Sequence, residues 1–412
     1  MSELYELPEG WEWKKLEDVC DLLNGFAFKA KEYVDKSNTV IIRMGNIRPD
    51  GQFNAEHKIK YLPNKYAREL PKYILKDGDL IIAMTDLATE MRILGNPTLV
   101  SNLKGRTFML NQRVGKLYDF NNDKIIIEYL RYIITAPQVK DYYKSLGGGG
   151  LQINIGKQQI LSAQFPLPSL QEQKRIVAIL DALFAKIDKA IALHQKNMDE
   201  ADAFMRSVLN DVFGELEEKY EKRTLGNITK TTSGGTPKRN EKSYWGGKIG
   251  WLKSGELNNG YITKVQEFIT EKGLKKSSAK LFPKGTLLIA MYGATVGKLG
   301  ILNIETTTNQ AICGVLNDKS LFETKYMFYF FQKNKEKMLL DSTGGAQPNI
   351  SQTYLKQLDI ILPPLPIQQK TVTYLDSISQ KIENLKQVQK EKMQSLVALK
   401  ASILDQAFRG KL

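Results

Sequence analysis

The chain has 412 residues, of which 42% are hydrophobic and 9% aromatic. That is enough for two or three buried cores and excludes a disordered polar polymer. Lys and Arg number 59 against 45 Asp and Glu, a formal charge of +14, which favours a polyanionic partner such as nucleic acid.

In chain order, residues 1–165 read as a mixed α/β module. Short β-rich runs, Val40-Ile41-Ile42 and Leu80-Ile81-Ile82-Ala83, alternate with Gly, Asn and Pro breaks, and a helical run follows near Lys124–Lys144. Residues 166–214 predict one long helix. Pro168 closes an extended segment, and apolar positions then step by three or four through Ile176, Leu180, Leu183, Ile187 and Ile191 to Val212. Residues 215–361 form a second α/β module with a strand at Leu287–Ala290 and a helical run near Lys325–Leu340. Residues 362–412 repeat the helix, with Val372, Leu375, Ile378, Ile382 and Leu385 on its stripe. Each helix should span about 40 residues, or about 60 Å.

The chain is written twice. Phe165-Pro166-Leu167-Pro168 through Gln173 matches Ile360-Ile361-Leu362-Pro363 through Gln368. At the same offset, Gly149-Gly150-Leu151-Gln152-Ile153-Asn154-Ile155 matches Gly344-Gly345-Ala346-Gln347-Pro348-Asn349-Ile350, and Phe213 matches Phe408. Upstream the match continues at drifting offsets: Gly78–Met84 with Gly285–Met291, Asn111-Gln112 with Asn309-Gln310, and Arg43 with Lys253. A duplicated half predicts that the two long helices bury their stripes against each other. An antiparallel coiled coil is topologically easy and would create a pseudo-two-fold axis. The expected fold is therefore α+β: two similar α/β modules separated by two long helices. His194 falls on the stripe, with Gln389 at the matching place, and reads as a register-setting polar residue.

Catalytic signatures fail individually. Gly293–Leu299 resembles a phosphate-binding loop but is one residue short before Gly297-Lys298. Leu299 also stands where a magnesium-holding hydroxyl would be, so the segment reads as a hairpin with a basic tip. Asp50, Glu56 and Lys58 resemble a nuclease carboxylate set, but the second half has no counterpart, and solvated loop charge is the better reading. With His57 and His194 the only histidines, and Cys20 and Cys313 far apart, neither a metal centre nor a catalytic triad is expected. The cysteine usage fits a reducing compartment. The polar Met1-Ser2-Glu3 start and the absence of a long apolar run predict a soluble cytoplasmic protein.

The motifs, in this order and present twice, resemble the specificity subunit of type I restriction-modification systems. They include Leu7-Pro8-Glu9-Gly10-Trp11, Ser233-Gly234-Gly235-Thr236-Pro237, Ala290–Lys298, Leu362–Lys370 and the ending Ala407-Phe408-Arg409-Gly410-Lys411-Leu412. The glycine run Gly147–Gly150 and Ile153, where the family usually has Pro, depart from the pattern. The resemblance implies two target-recognition domains, each reading half of a bipartite DNA site. It also implies two helical spacers that dock two methyltransferase subunits, with restriction subunits joining the assembly. The chain itself would be non-catalytic and hold no cofactor; S-adenosylmethionine, ATP and Mg would sit on its partners. The competing readings are a stand-alone bipartite DNA-binding regulator, a nuclease using Asp50 and Glu56, and a coiled-coil scaffold.

Side-chain chemistry nominates the DNA contacts. Arg and Lys suit guanine or phosphate, and Asn and Gln suit adenine. The first module offers Arg43, Asn46, Arg48, Arg92, Lys104 and Arg106. The second offers Lys238, Arg239, Lys253, Tyr292, Lys298 and Gln347.

Overall fold

The computed structural model describes residues 5–88, 91–147, 151–342 and 348–412. The chain divides into two compact units, Met1–Leu193 with Glu391–Leu412, and His194–Lys390.

In the first unit a central antiparallel sheet runs in the order Asp21–Asn24, Val114–Tyr118, Leu80–Ala83, Pro97–Leu99. An outer sheet runs Tyr61–Leu62, Thr39–Ile42, Thr107–Leu110, Ile74–Leu75, and its middle pair is parallel. Leu80–Ala83 is buried along its length because both faces are covered. Leu80 and Ile82 enter the core under the long helices, while Ile81 and Ala83 enter a second core with Val40, Ile42 and Phe108. A strand covered on both faces loses the polar alternation of a half-exposed one, so its sequence is a continuous apolar run.

The second unit repeats this strand by strand. Its central order is Thr231–Ser233, Ile312–Val315, Leu287–Ala290, Leu299–Leu302, extended by Gly260–Ile262. Its outer order is Glu267–Ile269, Trp245–Leu252, Thr306–Thr308, Leu281–Phe282, again with a parallel middle pair. Leu287 and Ile289 face one core, Leu288 and Ala290 the other. Backbone bonds repeat as well. Phe26 N donates to Leu110 O at 2.9 Å and Gly235 N to Thr308 O at 2.9 Å; Ile155 N donates to Met84 O and Ile350 N to Met291 O, both at 2.9 Å. The segment Gly293–Thr295 is one turn of a hairpin, and the strand Leu299–Leu302, not a helix, follows it.

The two long helices are Leu170–Lys219 and Leu365–Phe408. Within the first unit, the start of the first helix packs antiparallel on the end of the second. Arg175 donates to Leu412 O at 2.7 Å, and Lys400 Nζ meets Asp188 at 2.6 Å. Ile176, Leu180 and Ile187 are buried in one core with Leu404, Ala407 and Phe408, and Leu183 packs on its edge. Within the second unit, Met205, Val208, Leu209 and Phe213 share a core with Leu375 and Ile382, flanked by Val372 and Ile378. Lys386 Nζ meets Asp202 at 2.8 Å, and His194 Nδ1 hydrogen-bonds Gln389 Oε1, so the two matching polar positions pair with each other.

Three expected boundaries shift. The first helix continues beyond 212 to Lys219 because Leu216 still buries itself in the second unit's core. The run at 124–144 splits into Ile127–Thr135 and Pro137–Ser145, since Pro137 can start a helix but cannot donate within one. The run at 325–340 splits into Thr324–Lys333 and Lys335–Leu340 at Asn334, whose amide donates to Phe330 O at 2.8 Å. Among the described residues, no helix is long and apolar enough to cross a membrane.

Candidate nucleic-acid interface

In the first module the loop after the strand Thr39–Ile42 and the turn before Thr107–Leu110 supply the basic residues. Arg43 caps its own loop, its Nη2 donating to Lys58 O at 2.6 Å. Arg106 donates to Glu56 at 2.6 Å and lies over the Phe108 ring at 5.5 Å. Lys104 is exposed on that turn in a left-handed backbone conformation, φ 50°. Loss of water around the His57 ring, and then the charges of Arg48, Lys58 and Arg43, hold its pKa below the ordinary imidazole value. Three positive side chains therefore act on one loop, and Lys58 is not among the DNA contacts nominated above.

Asn46 is placed differently from the expectation. It is 2% exposed, its Oδ1 accepts from Arg43 N at 2.8 Å, and its Nδ2 donates to Asn54 O at 2.9 Å. With both ends of the amide engaged inside the loop, Asn46 shapes the loop and has no free edge for a base. Arg92 is exposed in the longer hairpin loop that precedes Ile93. Asp50 accepts from Gln52 N, and Glu56 is taken by Arg106, so the suspected carboxylate pair serves its own loop. Among the described residues, no group of three or more His, Cys, Asp or Glu side chains could hold a metal ion.

In the second module Arg239 and Lys253 converge on one carboxylate, while Lys238 is exposed and its backbone carbonyl accepts from Trp245 Nε1 at 3.1 Å. Arg239 and Lys253 both pair with Glu267. The Arg239 guanidinium also lies over Trp245 at 4.0 Å and Trp251 at 4.5 Å. Tyr292 is 43% exposed on the hairpin turn and bridges to Asn349, while Lys298 closes the same turn. Gln347 lies outside the described residues, as do Gly148–Gly150 and Gly344–Gly345.

What fixes these surfaces is a set of bonds repeated in both units. Gln173, fully buried, accepts from Ile126 N at 3.0 Å and donates to Lys124 O and Pro168 O at 2.7 and 2.9 Å. Gln368, also fully buried, accepts from Glu323 N at 2.9 Å and donates to Leu321 O and Pro363 O at 3.0 and 2.7 Å. Tyr129 donates to Pro166 O at 2.7 Å, and Tyr326 to Ile361 O at 2.9 Å. Tyr132 donates to Asp181, and Tyr329 to Asp376. The glutamines stood inside the matched motif, but their role as a clasp between module and helix needed the fold.

The profile described as the type I restriction modification DNA specificity domain matches residues 8–196 and 217–392. A putative type I restriction enzyme MjaX specificity subunit of Methanocaldococcus jannaschii is 26% identical, covering 100% of this chain and 96% of that protein. The type I restriction enzyme EcoKI specificity subunit of Escherichia coli K12 is 23% identical, covering 99% and 90%. A chain solved in work on complex assembly and conformational transition of the type I R-M system superposes with a TM-score of 0.69. Its identity is 22%, over 99% of this chain and 100% of that one.

Proposed function

The chain belongs to the type I restriction modification DNA specificity domain family, and from that premise we propose that it is the DNA-recognition subunit of a type I restriction-modification enzyme. Each unit reads one half of a bipartite double-stranded DNA target. The long helices dock methyltransferase subunits, two in the full assembly, and restriction subunits join them in the cytoplasm. The chain contributes no catalytic group; S-adenosylmethionine, ATP and Mg are held by the partners. One observation carries the reading: the same sheet pair occurs twice, each time clasped to the helices through an equivalent buried glutamine, Gln173 or Gln368.

The chemistry divides by residue. Arg43, Arg48, Arg92, Lys104 and Arg106 in the first module, with Lys238, Lys253 and Lys298 in the second, neutralise phosphates. That term is blind to sequence and weakens steeply with salt. Specificity rests on side chains that reach base edges, with Tyr292 and Gln347 the uncharged candidates. Sequencing the methylated adenines made by this chain with its methyltransferase tests the reading. A single motif with two fixed half-sites and a fixed gap is expected; methylation without a gapped motif, or tight specific binding that needs no partner, sinks it. One turn of helix advances about 5.4 Å, comparable to one or two base-pair steps of about 3.4 Å. A four-residue insertion near residue 195 should therefore change the gap and leave both half-sites intact, whereas altered half-sites with an unchanged gap refute a helical ruler.

A further inference from the structure

The second module carries one arginine that is held before any DNA arrives. Gly234 and Gly235 let the segment leading to it pass under the outer sheet: a Cβ on Gly234 would stand 2.1 Å from Thr308 Oγ1, and one on Gly235 2.3 Å from the Ser278 carbonyl carbon. The same segment is pinned by two indoles. Trp251 Nε1 donates to Gly235 O at 2.9 Å, and Trp245 Nε1 donates to Lys238 O at 3.1 Å. The two rings meet edge to face, with centroids 5.1 Å apart. Arg239 lays its guanidinium against both, and Glu267 takes one of its N–H groups. Half of the Arg239 side chain remains exposed. With a face and one donor engaged, what it offers outward is its remaining N–H edge.

We propose that Arg239 is a specificity-determining residue that reads the guanine of a G·C pair, with Glu267 beside it as the acceptor for the paired cytosine. This rests on the reading of the chain as a DNA-recognition subunit. Guanine presents O6 and N7 acceptors in the major groove, which a guanidinium edge meets with two hydrogen bonds, and cytosine presents an N4–H donor that a carboxylate accepts. Glu267 is shared with Lys253, so the cluster keeps one net positive charge; a phosphate would use that charge alone, whereas the guanidinium edge and the carboxylate together match both members of a G·C pair. The stacked rings remove side-chain freedom that a lone surface arginine would lose on binding, so more of the interaction appears as discrimination.

The duplicate supplies the contrast. Phe26 N and Gly235 N make the same bond to matching strands, which aligns Ala30 with Arg239. In the first unit the matching space is filled by Phe26, Phe28, Tyr66 and Tyr73, packed on one another with ring centroids 5.0 to 5.4 Å apart. The arginine head therefore belongs to one half-site only.

The test is methylome sequencing of the complete methyltransferase complex assembled with wild-type chain, Arg239→Ala or Arg239→Lys, on a randomised DNA library. Arg239→Ala should relax one base pair in one half-site, lowering the preference for guanine there by about ten- to a hundredfold. The other half-site and the gap should not change. Arg239→Lys keeps the charge and loses the fork, so it should relax the same base pair. An unchanged motif with uniformly weaker methylation would make Arg239 a phosphate contact and overturn the proposal. If Arg239→Ala abolishes all methylation, Arg239→Lys decides, and an unchanged motif with it overturns the proposal too. A wild-type complex that yields no bipartite motif would instead defeat the underlying reading.

Discussion

The two units share what holds them and differ in what they expose. The buried glutamines, the tyrosines that bond to strand carbonyls and the tyrosine–aspartate pairs occur in both, at matching places. The outer sheets end differently: Arg43, Arg106 and Glu56 in one, Arg239, Trp245, Trp251 and Glu267 in the other. A duplicated scaffold keeps the bonds whose loss would orphan buried polar groups, and it lets the solvent-facing loops drift. On the function proposed above, the matched features mark stability and the mismatched ones are the candidates for recognition.

The aromatic plugs should break the comparison hardest if it is wrong. Phe213 packs on Tyr326 at 5.4 Å and Phe408 on Tyr129 at 5.4 Å. Each Phe→Ala change should cost about 3–5 kcal/mol. Because Phe408 lies in the first unit's core and Phe213 in the second's, hydrogen exchange should speed up chiefly in the unit that lost its ring. Acceleration in the opposite unit would show that the two cores are not independent.

The glutamine clasps come next. Gln173→Ala leaves Ile126 N without its acceptor and two carbonyls without their donor, and Gln368→Ala does the same around Glu323 N. Each should cost about 2–3 kcal/mol, and the two costs should agree closely. Urea unfolding of both variants measures this; a large inequality would mean that one clasp is backed by other bonds. Tyr132→Phe and Tyr329→Phe should follow at about 1 kcal/mol, since each removes one hydrogen bond to a partly exposed carboxylate.

How much of this stood in the sequence depends on periodicity. The helices were legible because burial repeats every three or four residues, and the doubling because Phe165–Gln173 and Ile360–Gln368 align without a gap. The central strands were legible as apolar runs. His194 meets its equivalent Gln389 because it lies at the midpoint of an antiparallel pairing; away from that point non-equivalent positions meet, Asp188 with Lys400 and Asp202 with Lys386. The readers were not legible, because a base contact has no period. Asn46 has the right side chain for adenine but folds into its own loop. Arg239 was nominated by its charge alone, and its cage of Trp245 and Trp251, six residues apart in one bulged strand, came only with the fold.

An effect that shows only as a pH dependence separates the two hairpin loops. The chain between Ala83 and Pro97 has more residues than its counterpart between Ala290 and Leu299, and in its described part Asp86 accepts from Leu94 N at 3.1 Å. Lys140 donates to Leu94 O and to Asn96 Oδ1, the latter at 2.6 Å. Its counterpart Lys337 is an exposed lysine beside Asp341. Burial, and then the charge of Lys144, lower the Lys140 pKa from 10.5 to about 8. Between those two values the unfolded chain binds more protons than the folded one. The folded state therefore gains stability as pH rises from about 8 to 10.5 and loses it as pH falls back over the same range, with a slope that approaches about 1.4 kcal/mol per pH unit; below 8 both states are protonated and the contribution is flat. Lys140→Met should flatten that slope in urea midpoints measured from pH 7.5 to 10, and Lys337→Met should leave it unchanged. If both variants retain the wild-type slope, Lys140 is not the group that ties the longer loop to its helix.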